Sequence, residues 1–372
     1  RDSSTSRGLG DVYKRQVKVY GDSLELITEQ YNSLLDGKWK GMMSLIHGGA
    51  RSFGRAKVNS VLLAPIPTLG VSCEGEDNNK GRLNIHTIPC FNKYKPGSSY
   101  IDVFNKGTGI LKWKATPSAS WIQVDKTSGT TSYEDRITVS VNWSKAPVGE
   151  NVSGYIDIYT VNNEKETVFI SVFNPEAPSV NDLKGLYVEN NGYVSIDATG
   201  FHRKHEIGEI KFDVVEGLGF DNKVVRLGDP FAKTPYLDGL VLTSNYVAPV
   251  RGNKFPVLEY DFYSFQTGPV DVYTYMMPIF PLDNEHGSRY GVMVDNSPVY
   301  LPEAGAPYYS TLWIQSVLRN CRINKTTHFI DKPGKHTVKI YCAHPGMMLQ
   351  KIVVDFGGLK KSYMGPESTK IN

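Results

Sequence analysis

Residues 344–358 read HPGMMLQKIVVDFGG. A His-Pro-Gly turn signal opens this stretch, an apolar β-branched run follows, and Gly-Gly closes it. That is the punctuation of a core strand, and Val353 falls at its centre. Just upstream, KPGKHTVKIYCA (332–343) supplies a pairing partner across a Pro-Gly loop. Further segments share the same grammar: GYVSIDAT (192–199), EIKFDVVEGLG (209–219), FPVLEYDFYSF (255–265), VDVYTYMMP (270–278) and VMVDNSPVY (292–300). The last of these is a strand, an Asp-Asn turn and a strand. Together they predict a terminal jelly-roll sandwich over 186–372. The only helical candidate in that region is YYSTLWIQSVLRN (308–320), where Leu312, Trp313 and Val317 can share a face, although the same letters suit a strand.

Working towards the N-terminus, FNPEAPSVNDLKG (173–185) reads as a connector, and 71–175 as a first sandwich. Its strands alternate with period two: Ile137, Val139 and Val141 oppose Thr138, Ser140 and Asn142. Turn residues separate them at about ten-residue spacing, as in an immunoglobulin-like sandwich. Trp113, Trp121 and Trp143 fall on core positions by the same alternation. Residues 17–60 change period. Leu24, Ile27, Tyr31, Leu34, Trp39, Met42, Met43 and Ile46 recur at spacings near three and four, predicting an amphipathic helix interrupted at Gly37. The opening RDSSTSRGLGDVYKRQ (1–16) is polar and aperiodic and resembles a translated sequencing-adapter read-through. It is set aside as a non-native segment.

The fold class is therefore mainly β: two consecutive β-sandwiches, immunoglobulin-like and then jelly-roll or galactose-binding-like, preceded by a short helical segment. At 372 residues the chain is too long for one core, and 22 Tyr, 35 Gly and 21 Pro suit short strands joined by turns. A net charge of +3, with acids and bases interleaved, argues against a nucleic-acid partner. No run of 18 apolar residues suggests a membrane span, and no signal core is visible. Cys73, Cys90, Cys321 and Cys342 form no CxxC pair; Cys73–Cys90 and Cys321–Cys342 are candidate disulfides against the alternative of four buried thiols.

A family likeness now becomes visible. GKWKGMMSLIH followed by VNSVLLAP resembles the end of the helical domain of glycoside hydrolase family 115, the xylan α-1,2-glucuronidases. SYIDVFNKGTGILKWKATPSASWIQVDKTSG with RITVSVNWSKAPVGENVSGYIDI is similar to the sandwich that follows in many members. YVSIDATGF and HPGMMLQKIVVDFGGLKKSYMGPES resemble the family's C-terminal domain. After His47 the family's Gly-Tyr and Trp-containing segment is replaced by GGARSFGRAKV, which puts aromatic contacts there in doubt. The resemblance implies a parent that cleaves (4-O-methyl)glucuronic acid from glucuronoxylan in the periplasm or outside the cell. Its catalytic groups sit on an upstream (β/α)₈ barrel, and this chain shows no such alternation. The expectation is a truncated, non-catalytic C-terminal portion whose partners are the missing helical and barrel domains in cis, a homodimer, and glucuronoxylan through the parent. No cofactor is implied.

The residues themselves offer no catalytic constellation. Glycoside hydrolysis needs two carboxyl groups facing one bond. The pairs Glu206 with Glu209, Glu259 with Asp261, and Asp283 with Glu285 read as surface acids of a sandwich. Asp283 and Glu285 are also the candidate metal oxygens, and HRKHE (202–206) reads better as an exposed basic loop than as a metal motif. Aromatic rings that can stack on sugars are the more open possibility. Tyr273, Tyr275, Tyr308, Tyr309 and Trp313 are the candidates, against core or interdomain packing. Independent carbohydrate-binding modules and an adhesion protein are the alternative readings of the whole chain.

Overall fold

Helix α1 (Ser4–Ser33) opens the structure, a computed structural model that describes residues 4–42, 62–76, 86–232, 255–280 and 288–372. No proline interrupts residues 4–33, and the helix starts well before the predicted position 17. It ends in a 3₁₀ turn, Leu34–Gly37, where Leu35, Asp36 and Gly37 all take positive φ, so the expected break falls at Gly37. Leu24, Ile27, Leu34 and Met42 of the predicted stripe are exposed; Met43 and Ile46 lie outside the described residues. Arg15 stacks over the Tyr133 ring at 4.3 Å.

The chain divides into two units, Arg1–Pro175 and Glu176–Asn372. The first carries β1 (Leu69–Cys73), β2 (His86–Thr87), β3 (Phe91–Asn92), β4 (Ser98–Asn105), β5 (Leu111–Pro117), β6 (Ile122–Val124), β7 (Ser128–Thr131), β8 (Glu134–Val141), β9 (Gly149–Thr160) and β10 (Lys165–Asn174). One sheet runs β1-β4-β8-β6; the other runs β2-β10-β9-β5-β7, with β3 also on β10. The alternation read from sequence holds. Ile137, Val139 and Val141 meet Ile101, Val103, Ile156, Ile158, Val168 and Ile170 between the sheets, around Trp113 and Trp121, and Trp143 packs against that core.

The second unit carries β11 (Tyr187–Val188), β12 (Tyr193–Asp197), β13 (Arg203–His205), β14 (Phe212–Glu216), β15 (Lys223–Leu227), β16 (Val257–Ser264), β17 (Gly268–Met276), β18 (Tyr290–Val294), helix α2 (Thr311–Leu318), β19 (Arg322–Ile330), β20 (Gly334–Cys342) and β21 (Met347–Asp355). Its sheets run β11-β16-β20-β18, with β13 on β16, and β14-β15-β21-β17-β19, with β12 on β21. Leu258, Tyr260 and Phe262, with Val292 and Ile340 beside them in the same sheet, face Val272 and Val354 of the other sheet across the core.

Strand β21 pairs with β12, β15 and β17. Its register against β17 slips between Tyr275 and Met276, whose partners are Lys351 and Leu349, so Gln350 is the extra residue of a bulge. The slip switches parity: Met347 and Leu349 face the core before it, Ile352 and Val354 after it. Val353 is fully buried as well, but on the other face, with Tyr275 and Cys321. There the C-terminal tail covers it. Leu359 packs against this cluster, and Gly365 lies so close over Tyr275 that a Cβ would stand 3.3 Å from the ring. Lys351, 4% exposed, donates to the Pro366 and Met364 carbonyls at 3.0 and 3.5 Å and faces Asp221 at 3.4 Å.

Replacing Val353 by Asp puts an unpaired charge beneath this lid. The expected loss is about 4 kcal/mol of stability, read as a lowered urea midpoint for the second unit. An unchanged midpoint would show that the tail does not seal this face.

Candidate functional site

The turn Pro307–Ser310 and helix α2 present a group of rings to solvent. The Ser310 amide donates to the Pro307 carbonyl at 3.0 Å, and Tyr309 sits inside the turn at φ 57°. Positive φ is strained for a bulky residue; here it stands the two tyrosines side by side. Ser310 then caps α2, its hydroxyl accepting from the Trp313 amide at 3.1 Å. Tyr308 and Tyr309 are 63% and 69% exposed, Phe280 is exposed, and Trp313 is half-buried. Ring centroids lie at 4.3 Å for Tyr308–Tyr309, 5.0 Å for Tyr308–Trp313, 5.4 Å for Tyr309–Trp313 and 6.0 Å for Phe280–Tyr308. A hydrogen bond with Tyr309 pushes the Tyr308 hydroxyl up in pKa. Tyr363 of the tail closes the far end of α2, its hydroxyl donating to the Arg319 carbonyl at 3.0 Å.

Such a platform offers aromatic faces, phenolic hydroxyls and an apolar rim of Leu312, Ile314 and Val317. That combination suits the C–H faces and hydroxyls of a sugar ring, or an apolar protein surface. The sequence reading placed Tyr308, Tyr309 and Trp313 here and missed Phe280. The available signal was its setting between Pro278 and Pro281, where a ring is held in a loop rather than a strand.

Tyr273 and Tyr275 do share a face of β17, as their spacing predicts, but that face is the one the tail covers. Tyr275 is 4% exposed, and burial pushes its hydroxyl up to about 12. It is a packing residue, which removes it from the sugar-contact set. The disulfide expectation also fails, since all four thiols are unbridged. Cys342 sits in the inter-sheet core, donating to the Leu227 and His344 carbonyls, whereas Cys321 lies in the cluster on the opposite face of its sheet. Cys73 points into the first core, while the Cys90 thiol turns to the Phe91 carbonyl. Asp283 and Glu285 lie outside the described residues.

Of the remaining acid pairs, Glu206, Glu259 and Asp261 are tied up in structural contacts, while Glu209 is exposed. Arg203 on β13 holds Asp261 through two bonds of 2.6 and 2.7 Å and Glu259 through one of 2.5 Å. Thr337 and Lys335 complete the Asp261 shell at 2.8 and 3.1 Å. Burial raises the Asp261 carboxyl, but these donors outweigh it and hold the group well below the ordinary carboxylate range. Lys204 and the Phe212 amide likewise keep Glu206 low. His202 is committed to the Gly185 carbonyl and the Asp261 amide, so HRKHE gathers no metal ligands. Glu189 is the one carboxyl held high among the described residues. Burial raises it, and the Phe265 and Gln266 donors only partly offset that.

Residues 186–368 match the family model described as the glycosyl hydrolase family 115 C-terminal domain. Residues 91–172 match the model of the viral BACON domain. No curated protein matches the chain. Among solved structures the chain is similar to a family GH115 4-O-methyl-alpha-glucuronidase with specificity for decorated arabinogalactans, at 18% identity over 41% of this chain and 17% of that one, TM-score 0.30. It is also similar to a family 35 carbohydrate binding module from Clostridium thermocellum, at 8% identity over 44% of this chain and 96% of the module, TM-score 0.27. A third is the C-terminal CBM6 of LamC from Zobellia galactanivorans, at 9% identity over 44% and 98%, TM-score 0.24. The chain thus spans about one sixth of the glucuronidase's length. At such scores these structural likenesses carry no argument, and the assignment of 186–368 rests on the family model.

The Asp261 cluster makes a signed prediction. Its folded pKa lies below the unfolded value of about 3.9, so its contribution is present above that pH and lost as pH falls through the folded value. With Arg203 half exposed, about 2 kcal/mol is expected. Asp261→Asn should lower stability at pH 7 by that amount and flatten the acid limb of a stability–pH profile. An unaltered acid limb would refute the assignment.

Proposed function

We propose that this chain, whose residues 186–368 form a family 115 C-terminal domain, is the non-catalytic accessory region of an α-glucuronidase acting on glucuronoxylan. The family match over the second unit is the observation that carries this reading. The acid chemistry supports it: Glu206, Glu259 and Asp261 are engaged by Arg203, Lys204, Lys335 and the Phe212 amide, and Glu209 is an exposed surface acid. In the parent enzyme the two sandwiches would support the catalytic barrel and contribute to the walls of the substrate cleft. A homodimer and a periplasmic or extracellular setting belong to the same reading.

Within it, the Phe280–Tyr308–Tyr309–Trp313 platform is the surface that would meet polysaccharide. Tyr308 and Tyr309 lose area to a ligand without any rearrangement of the core, because they are already exposed. The second reading, a self-sufficient carbohydrate-binding module, is favoured by the same platform and differs in strength rather than in place.

The purified chain should release no uronic acid from aldouronic acids. Its migration in native gels containing glucuronoxylan should be slowed modestly, and Tyr309→Ala with Trp313→Ala should abolish the slowing. Strong retardation of the chain alone favours the independent module. Absence of any retardation assigns the platform to a protein contact, and uronic acid release by the purified chain overturns the non-catalytic reading.

A further inference from the structure

Edge strands β1 and β2 lie in different sheets of the first sandwich, and each delivers one metal-ligating side chain to the seam between them. Cys73 ends β1 and His86 begins β2; they are 6% and 4% exposed. Glu76 reaches in from the turn after β1. The ligand atoms of Cys73, Glu76 and His86 lie within 4.8 Å of one another. The carboxylate is already aimed: Glu76 Oε2 accepts from the Cys73 amide at 3.1 Å, and both its oxygens face His86 Nδ1 at 3.0 and 3.1 Å.

The other nitrogen of His86 adds an independent observation. Nε2 is buried with no hydrogen-bond partner, and Glu166 Oε2 on β10 stands opposite it at 3.6 Å, just out of reach. Metal-bound imidazoles typically present their second N–H to a carboxylate in this way. The thiol packs at the margin of the first core, beside the Glu76 carboxylate. It carries no disulfide.

We infer that Cys73, Glu76 and His86 bind a divalent zinc-type cation that clips the two sheets of the first unit together, with Glu166 orienting His86 from behind. The donor set decides the class of ion. One thiolate, one imidazole and one carboxylate suit zinc and exclude the oxygen-seeking calcium and magnesium. Tetrahedral zinc places its donor atoms roughly 3.3–3.7 Å apart, so closure needs about 1 Å of side-chain movement. The fourth position is left for water. Protons balance on binding. The Cys73 thiol releases one, His86 Nδ1 is freed of its proton, and Nε2 carries the N–H that points to Glu166. Neither the family match nor the aromatic platform enters this assignment.

The test uses the full chain stripped of metal with chelator. Titration with Co²⁺ should give a thiolate-to-cobalt charge-transfer band in the near ultraviolet, saturating at one equivalent and displaced by Zn²⁺, and Zn²⁺ should raise the melting temperature. Cys73→Ser should abolish the band and the melting shift while leaving the far-UV circular dichroism unchanged. Cys90→Ser should alter neither. Glu166→Gln should keep the band and weaken affinity about 10-fold or more. No band with Co²⁺, or a band that survives Cys73→Ser, overturns the site. His86→Gln is a stricter variant, and Cys73→Ser carries the test if that protein does not fold.

Discussion

A strand hydrogen-bonded along both edges and buried on both faces must be covered twice, and β21 sets this requirement for the second unit. Its inner face is covered by the opposing sheet through Leu349, Ile352 and Val354. Its outer face is covered by the polypeptide that follows it, which returns over Val353 and Tyr275. The Lys351 ammonium fastens that cover by donating to carbonyls of the tail. A buried cation without such acceptors would be strongly unfavourable. The tail then continues into the sandwich, where Thr369 exchanges hydrogen bonds with Ser195 and Val188, and Ile371 with Leu186 and Gly185.

The same tail links this cover to the aromatic platform. Tyr363 packs on Phe220 at 5.5 Å and bonds the end of α2, so the helix that carries Trp313 is held from its C-terminal side. At its N-terminal side the Ser310 cap and the Tyr309 turn fix the ring orientation. The Arg203–Asp261–Lys335 cluster belongs to the other sheet, on β13, β16 and β20. That ion cluster and the rings thus lie on different elements, and the platform presents ring faces and phenolic hydroxyls.

Much of this architecture was legible from period alone. Ile137, Val139 and Val141 announced a half-buried strand, and Leu258, Tyr260 and Phe262 announced a core face opposite acids. What escaped was non-local. The bulge at Gln350 reverses which side of β21 faces the core, and one-dimensional alternation cannot show a slip of pairing register. Tyr273 and Tyr275 were placed on the correct face, but the tail that buries Tyr275 arrives from ninety positions away. Phe280 was overlooked because loop aromatics lack a period. Glu76 and His86 come together only when two edge strands close on each other, Glu166 joins them from the strand paired with β2, and no spacing in the chain foretells it. Helix α2 was ambiguous in sequence because its letters suit a strand; Ser310 was the local signal, a capping residue three positions before Trp313.

The placement of β21 also dictates an order of assembly. Tyr193 finds its partner in Asp355, and Val225 finds its own in Leu349. During synthesis β12, β15 and β17 emerge with unsatisfied edges and wait for a segment made after nearly everything else in the unit. Topologies dominated by such distant pairings fold slowly and leave sticky intermediates. The nascent chain therefore passes through a vulnerable interval that ends only when its central strand arrives, and chaperones that shield naked edges would act in that interval.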